Sequence, residues 1–461
     1  MQSSRRPRCR NLILEGGGPR SLSPTDVSLI ADLRIGSPKR NSRAQSGWEG
    51  FFPYYAGFPE SFARTLMESV QLSAGTVVLD PWNGSGTTTY VASRLGLTSC
   101  GFDINPVMVV IARARLLATS EADSIEPLAL EVIKSARTVW TLDEDDPLCG
   151  WFGPSTAGRI RGIERSIRRH LVGTRTISPE GPHLDQISGL AATFYVALFS
   201  VCRGLVARFQ SSNPTWLRQP RSEERKVYAT RETIVERLKE NLSAMAAALA
   251  ATDGQTGIQR IEQGKWSIKL IDTATAVLDP SSVDFILTSP PYCTRIDYTA
   301  ATRIELALLA PLLQTPAKEL ARQMMGSIRV PNHDIAPCAD WGETCNKFLG
   351  ALRQHSSKAS DGYYYRTHLD YFEKMFQSLL QLVVALKNNG VAILVVQDSY
   401  YKELHNDLPT IVCEMGQSVG LEMMRSDEFR LRRSMSGINP HSRNYRRPPG
   451  VTEAVLCFRR L

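Results

Sequence analysis

Apolar positions first recur at a spacing of four, where Phe58, Phe62, Leu66 and Val70 fall on one face of a predicted helix. The period then shortens. "TVVLD" (Thr76 to Asp80) is a brief apolar run closed by an acid, and it predicts a buried strand running into the turn "PWNGSGTT". A helix with Val91 and Leu95 on one side follows, then a second strand, "TSCGFD" (Thr98 to Asp103), which also ends on an acid. In "INPVMVVIARARLL" the sequence predicts Asn105 as a helix cap and Pro106 at the first helical position, where its missing N–H costs nothing.

From about Ala118 to Gln263 the alternation of strand and helix is lost, which predicts one large helical insertion. Within it, "RIRGIERSIRRHL" sets Ile160, Ile163, Ile167 and Leu171 on one face and Arg161, Arg165, Arg168 and Arg169 on the other. The loop "SSNPTWLRQPRSEERK" leads to a further helix near Thr230 to Ala251. The strand-helix rhythm then resumes with "WSIKLID", "VDFILTS" and the helix "TAATRIELALLAPLL". A polar stretch, 314–362, predicts a second and smaller insertion. "YFEKMFQSLLQLVVAL" is amphipathic, with Asn388, Asn389 and Gly390 expected to stop it. "VAILVVQD" is a buried strand, a helix follows near Pro409 to Val419, and "LEMMRSDEFRL" with "TEAVLCFRR" predicts a closing antiparallel pair. About seven strands alternating with helices predict a doubly wound α/β sheet whose ligand sits at the carboxyl ends of its strands.

Charge changes this picture at one end. The chain of 461 residues is 43% apolar and 22% charged, with a net charge of +8, so a packed core is expected. Between Met1 and Arg43, nine Arg and Lys face only Glu15, Asp26 and Asp32, and the segment has no periodicity. It reads as a basic flexible arm, 1–47. Nine cysteines without a C-x-x-C pair or a secretion signal point to a reducing, cytoplasmic setting. Cys338, Cys345 and His333 fit no common zinc spacing, so no metal is expected. Ile187 to Val206 is long enough for a membrane span, but Arg203 within it argues for a buried helix instead.

Two stretches carry candidate chemistry. "VLDPWNGSGTT" is a strand, an acid, and Gly84-Ser85-Gly86 opening a helix. Its spacing is not that of a P-loop and no lysine follows, so it is not built to grip a pyrophosphate. Asp103, at the end of the next strand, suits ribose hydroxyls, and a ribose-bearing cofactor without a pyrophosphate satisfies both facts. The second stretch is Ser289-Pro290-Pro291-Tyr292. Two prolines in a row remove two donors and hold the chain extended. Carbonyls there, with the Ser289 hydroxyl, can accept from an exocyclic amino group as a methyl group arrives. Tyr292 can stack on a base that has left its duplex. Cys293 does not directly follow a proline, which weighs against thiolate attack on a pyrimidine ring.

"DPWNGSGTT", "GFDINP" and "TSPPY" together resemble the motifs of the amino-methyltransferases that modify DNA with S-adenosyl-L-methionine. "FPESFARTLMESV" is similar to the helix that closes over the methionine end of the cofactor in that family. The resemblance implies a Rossmann-like, seven-stranded class I methyltransferase sheet, here interrupted by the large helical insertion. It implies that Asp80, Pro81, Trp82, Gly84, Ser85, Gly86 and Thr87 line the cofactor, with Phe58 before them. Asp103 and Ile104 would meet its ribose and Asp272 its adenine, while Ser289, Pro290, Pro291 and Tyr292 hold the target amino group. Serine at the first motif position favours cytosine N4; adenine N6, an RNA amino group, and a non-catalytic DNA-binding or defence-complex subunit are the alternatives.

The resemblance divides the chain into a cofactor-binding half of the core, 48–117, the insertion, 118–263, as a target-recognition region, and a catalytic half, 264–461. The cofactor motifs precede Ser-Pro-Pro-Tyr, whereas many serine-type members run the other way round. Expected DNA contacts are Arg161, Arg165, Trp216, Arg218 and Arg221 in the insertion, and Arg432, Arg433, Arg446 and Arg447 in an arginine-rich loop. The expected partners are double-stranded DNA with its target base flipped and a restriction or defence-system protein. No membrane is expected, and the location implied is the cytoplasm, at the nucleoid.

Overall fold

The computed structural model describes residues 33–39, 50–52, 57–70, 72–143, 145–172, 177–178, 181–182, 184, 187–211, 216–252, 264–294, 298–327, 330, 335–430 and 451–461. Its centre is a seven-stranded sheet. The strands are β1 (Val77–Asp80), β2 (Thr98–Asp103), β3 (Trp266–Leu270), β4 (Val283–Thr288), β5 (Leu386–Gln397), β6 (Leu421–Arg430) and β7 (Thr452–Arg460). Their order across the sheet is β6-β7-β5-β4-β1-β2-β3. β7 runs antiparallel to both of its neighbours, and the other pairings are parallel. From β1 the chain builds outward through β2 to β3, then crosses back to lay β4 on the other side of β1. The crevice between β1 and β4 is therefore a topological switch point, where α/β sheets bind ligands. This is the Rossmann-like methyltransferase fold.

Alternation along the strands sorts their side chains between two faces. Val78, Phe285, Leu287, Val395 and Val455 pack with Phe62, Leu66 and Val91 of α1 (Glu60–Val70) and α2 (Thr87–Arg94). Leu79, Ile286, Leu394 and Leu456 lie in the opposite cluster, under helices of the chain's second half. A third cluster holds α3 (Pro106–Arg115) against the insertion helices α4 (Ala122–Ser135), α5 (Pro154–Ile167), α6 (Gly189–Leu205) and α7 (Arg231–Thr252). The insertion thus shares its core with the sheet's own helix α3. Asn105 caps α3 as its sequence predicts, accepting from the Val107 N–H at 3.1 Å. α6 is the segment of membrane length; its Arg203 pairs with the fully buried Glu305 of α8 (Arg303–Leu309). Among the described residues no helix is long and apolar enough to cross a membrane.

Two expectations are corrected. The helix α9 (Tyr365–Ala385) is not stopped by Asn388-Asn389-Gly390; it ends three residues earlier and β5 begins at once. The Asn-Asn-Gly stretch is looped out of the β4–β5 ladder, where the register jumps from Val283↔Leu386 to Phe285↔Val391, with Asn389 at a φ of 61°. The arm is also not loose along its whole length. Leu33 is buried in the α1 cluster, and Arg425 Nη1 of β6 donates to its carbonyl at 3.0 Å.

Candidate functional site

The glycine loop after β1 is set by bonds to both flanking acids. The Asp80 carboxylate accepts from the Trp82 N–H at 3.1 Å and from the Thr288 hydroxyl of β4 at 2.6 Å. Burial pushes its pKa up to about 6 against those bonds. Asp103 accepts from the Gly84 N–H at 2.9 Å and from the Asn105 N–H at 2.7 Å. Its carboxyl is pushed up to about 7, chiefly by burial, while the residue as a whole is partly exposed. The two acids that the sequence places at strand ends therefore brace the loop between them. Asn83, beneath it, accepts from Thr89 Oγ1 at 3.0 Å and lies against Gly101, where a Cβ would stand 2.5 Å from Asn83 Cγ. Gly86 has a φ of 82°, and a Cβ on it would stand 2.8 Å from Ala112 Cβ.

Arg115 completes this half and escaped the sequence reading. Its Nη1 donates to the Ser85 carbonyl at 2.9 Å and to Thr87 Oγ1 at 3.2 Å, while Nη2 pairs with Glu60 of α1. One buried guanidinium thus joins the glycine loop to the helix in front of it. The signal was present. All ten residues of α3 are buried, and two arginines in such a helix must find partners inside. Phe58 is buried with its ring centroid 5.1 Å from Phe62. Pro81 accepts at its carbonyl from Thr273 Oγ1 at 2.6 Å, which brings the segment after β3 beside the loop. There Asp272 accepts from the Ala274 N–H at 3.1 Å, with burial raising its pKa. Trp82 and Ile104 are partly buried, Trp82 against the cluster of the second half and Ile104 against the cluster that holds α3.

Ser289 to Tyr292 leave the carboxyl end of β4 beside β1. The Ser289 hydroxyl donates to the Val395 carbonyl of β5 at 3.1 Å. Tyr371 Oη donates to the Pro291 carbonyl at 2.7 Å, and Tyr292 Oη donates to Glu453 of β7 at 2.9 Å. Ser399 Oγ donates to the Cys293 carbonyl at 2.9 Å. Each anchor lies on a different element of the second half, so the turn is clamped along its length. Burial pushes the Cys293 thiol up to about 12, which leaves no thiolate for attack on a ring. Asn105 Nδ2 donates to Thr302 Oγ1 at 3.1 Å and ties the cap of α3 to the segment after this turn. No set of three His, Cys, Asp or Glu side chains that could hold a metal occurs among the described residues.

The structure separates the expected DNA contacts. Arg161 is a correction: it is 5% exposed, pairs with Asp146 at 2.7 Å, and donates to the Leu308 and Ala307 carbonyls at the end of α8, each at 2.6 Å. It caps a helix and cannot reach a phosphate. Arg218 is likewise committed, bidentate to Glu224, whose carboxyl it pulls down to about 2. Arg165 and Arg221 are exposed and Trp216 is half-buried. Arg432, Arg433, Arg446 and Arg447 lie outside the described residues.

A sheet of this order, with acids at the ends of β1 and β2 and a proline-rich turn after β4, is the arrangement that the resemblance to amino-methyltransferases implies. Residues 29–114 match the N6_N4_Mtase family model, described as DNA methylase. Over 400 residues the chain is 22% identical to the type II methyltransferase M.AvaI, in sequences from a Nostoc species and from Anabaena variabilis, covering 83% of this chain and 80% of each relative. It is 44% identical over 54 residues to the type II methyltransferase M.BsoBI of Geobacillus stearothermophilus, covering 12% of this chain and 11% of that one. These matches make the chain similar to DNA methyltransferases over most of its length and to the amino-methyltransferase family model over residues 29–114.

Proposed function

We propose that this protein transfers a methyl group from S-adenosylmethionine to the exocyclic amino group of a base flipped out of duplex DNA, and that the base is cytosine, methylated on N4. The observation that carries the reading is the bond from Ser289 Oγ to the Val395 carbonyl at 3.1 Å. A hydroxyl whose proton is committed to a backbone carbonyl offers only lone pairs outward. The two prolines that follow have no N–H, so from the Ser289 hydroxyl through Pro291 this turn is rich in acceptors. An amino group is the complementary partner, and acceptors on its protons stabilise the charge that develops as nitrogen attacks. Adenine would satisfy the same acceptors; the choice of cytosine rests on serine at position 289.

The residues of the first half fit the cofactor. Asp103 has no cation paired with its carboxylate among the described residues, and the residue is partly exposed, which suits ribose hydroxyls. The loop has no lysine for a pyrophosphate, and its glycines allow close backbone approach. Bound there, S-adenosylmethionine supplies an electrophilic methyl group. Asp80 and Thr288, joined at 2.6 Å, hold the glycine loop and the end of β4 in register, and Tyr292 stacks on the base. Residues 48–117 and 264–461 form the core in this reading, and 118–263 takes part in target recognition, with Arg165, Trp216 and Arg221 among the contacts. The relatives' names as type II methyltransferases support a place in restriction-modification, with an endonuclease partner and a cytoplasmic site of action.

The test is methyl transfer from labelled S-adenosylmethionine to duplex DNA and to total RNA, followed by nucleoside mass spectrometry. N4-methylcytosine is expected. N6-methyladenine would overturn the base assignment, label in RNA alone would overturn the substrate, and cofactor binding without transfer would overturn catalysis by this chain alone.

A further inference from the structure

We propose that the three arginines lining a small hollow on the helical insertion, Arg137, Arg159 and Arg231, with Thr138 beside them, bind a phosphate group at its surface, and that the phosphate belongs to the DNA backbone. Three arginines line the hollow. Each is held by a backbone carbonyl: Arg137 Nη1 donates to Lys134 at 2.7 Å, Arg231 Nη2 to Ile133 at 3.0 Å, and Arg159 Nη1 to Ala229 at 2.6 Å. A guanidinium has five N–H donors, so each tether fixes its arginine and leaves donors over. Elsewhere in the insertion Arg161, Arg168, Arg203 and Arg218 are each paired with a carboxylate. Among the described residues none of the three has such a pair. Glu232 is the nearby acid; it is held first by its own backbone and by Thr230, and Arg159 and Arg231 pull its carboxyl down more weakly.

The last carbonyls of α4 offset part of this positive charge, and phosphate is an anion whose oxygens match the arginine donors left over. The walls of the hollow are fixed. The segment bearing Arg137 lies so close to α5 that a Cβ on Gly162 would stand 2.0 Å from the Arg137 carbonyl. α7 begins at Arg231 and adds the positive end of its dipole. Trp140 and Tyr228, close in sequence to Thr138 and Arg231, are 76% and 69% exposed, and exposed rings on this part of the insertion suit a nucleic acid. Arg159 is two residues from Arg161 and so on the other side of α5, away from the arginine that is spent on α8.

The proposal rests on DNA being the substrate and not on which base is methylated. The test measures duplex binding by the full chain over a salt series, with thermal unfolding in inorganic phosphate alongside. The Arg137→Gln/Arg231→Gln variant is expected to bind duplexes of any sequence about tenfold more weakly, with the salt slope lower by about one, at an unchanged rate on saturating DNA. Arg137→Lys/Arg231→Lys is expected to keep most of the affinity, which separates charge from folding. Unchanged affinity and slope in the Gln variant, with wild type binding in the same assay, would overturn the proposal. Phosphate that stabilises wild type and not the Gln variant, with DNA affinity unchanged, would support an anion site and overturn DNA as its source. Wild type that binds no DNA would instead count against the proposed function.

Discussion

Tyr292 Oη donates to Glu453 Oε1 at 2.9 Å, joining the end of the Ser-Pro-Pro-Tyr turn to the second residue of β7. Glu453 is 6% exposed and stands opposite Gln397 of β5 in the ladder, so its position is set by the sheet. A ring that stacks on a flipped base needs a fixed plane, and this bond holds the ring at its far end.

Tyr292→Ala is therefore expected to cost target binding about 1–3 kcal/mol, the value of one base-stacking ring. Glu453→Ala should raise KM for DNA more than it lowers kcat. In the Tyr292→Ala background it should cost binding nothing further, because the two residues act as one unit. Steady-state kinetics on the four proteins of the cycle decide this; additive losses would dissociate the pair.

Ser289→Ala removes an acceptor without touching the glycine loop. Methyl transfer should slow on the order of 10²-fold, the usual effect of deleting one preorganised hydrogen-bonding group. Cofactor affinity, measured by calorimetry, should stay as in wild type. Lost cofactor binding with an unchanged rate would remove Ser289 from the chemistry.

The buried acids set a pH dependence. Asp103 and Asp80, raised to about 7 and about 6, keep their protons in the folded chain above the ordinary carboxylate range near 4. Between about pH 4 and 7 the folded state then binds more protons than the unfolded one, so stability of the ligand-free protein falls as pH rises. Asp103→Asn should flatten the upper part of that fall in thermal unfolding. Cofactor affinity should run the other way, rising through about pH 7 as Asp103 ionises and becomes a full acceptor for hydroxyls. The Asn variant should lose that rise.

Gly86→Ala meets two obstacles, a left-handed φ of 82° and a Cβ 2.8 Å from Ala112 Cβ. The dihedral alone costs about 1–2 kcal/mol. Adding Ala112→Gly relieves the contact and leaves the dihedral, so the double variant should recover part of the stability lost in urea unfolding. No recovery would show that the helix contact is not the obstacle.

Periodicity along the chain determined much of this protein. The changes between spacings of four and of two located the strands and the helices around them, and Asp80 and Asp103 marked the ends of β1 and β2. Asn105 and Pro106 announced the start of α3, and two consecutive prolines announced a stiff turn with two backbone donors removed. All of these depend on residues near one another in sequence, because backbone geometry and local caps are set by neighbours. The destinations of the buried charges were decided only by the tertiary structure. Arg161 lies on a stripe of arginines that reads as a solvated face, yet it serves carbonyls 146 and 147 residues away. Arg115 reaches back to Glu60, Tyr292 reaches forward to Glu453, and Ser289 gives its proton to Val395. A buried polar group must find a partner wherever the packing brings one. Local sequence can show that a partner is required, but which residue meets it depends on how the layers close over the sheet.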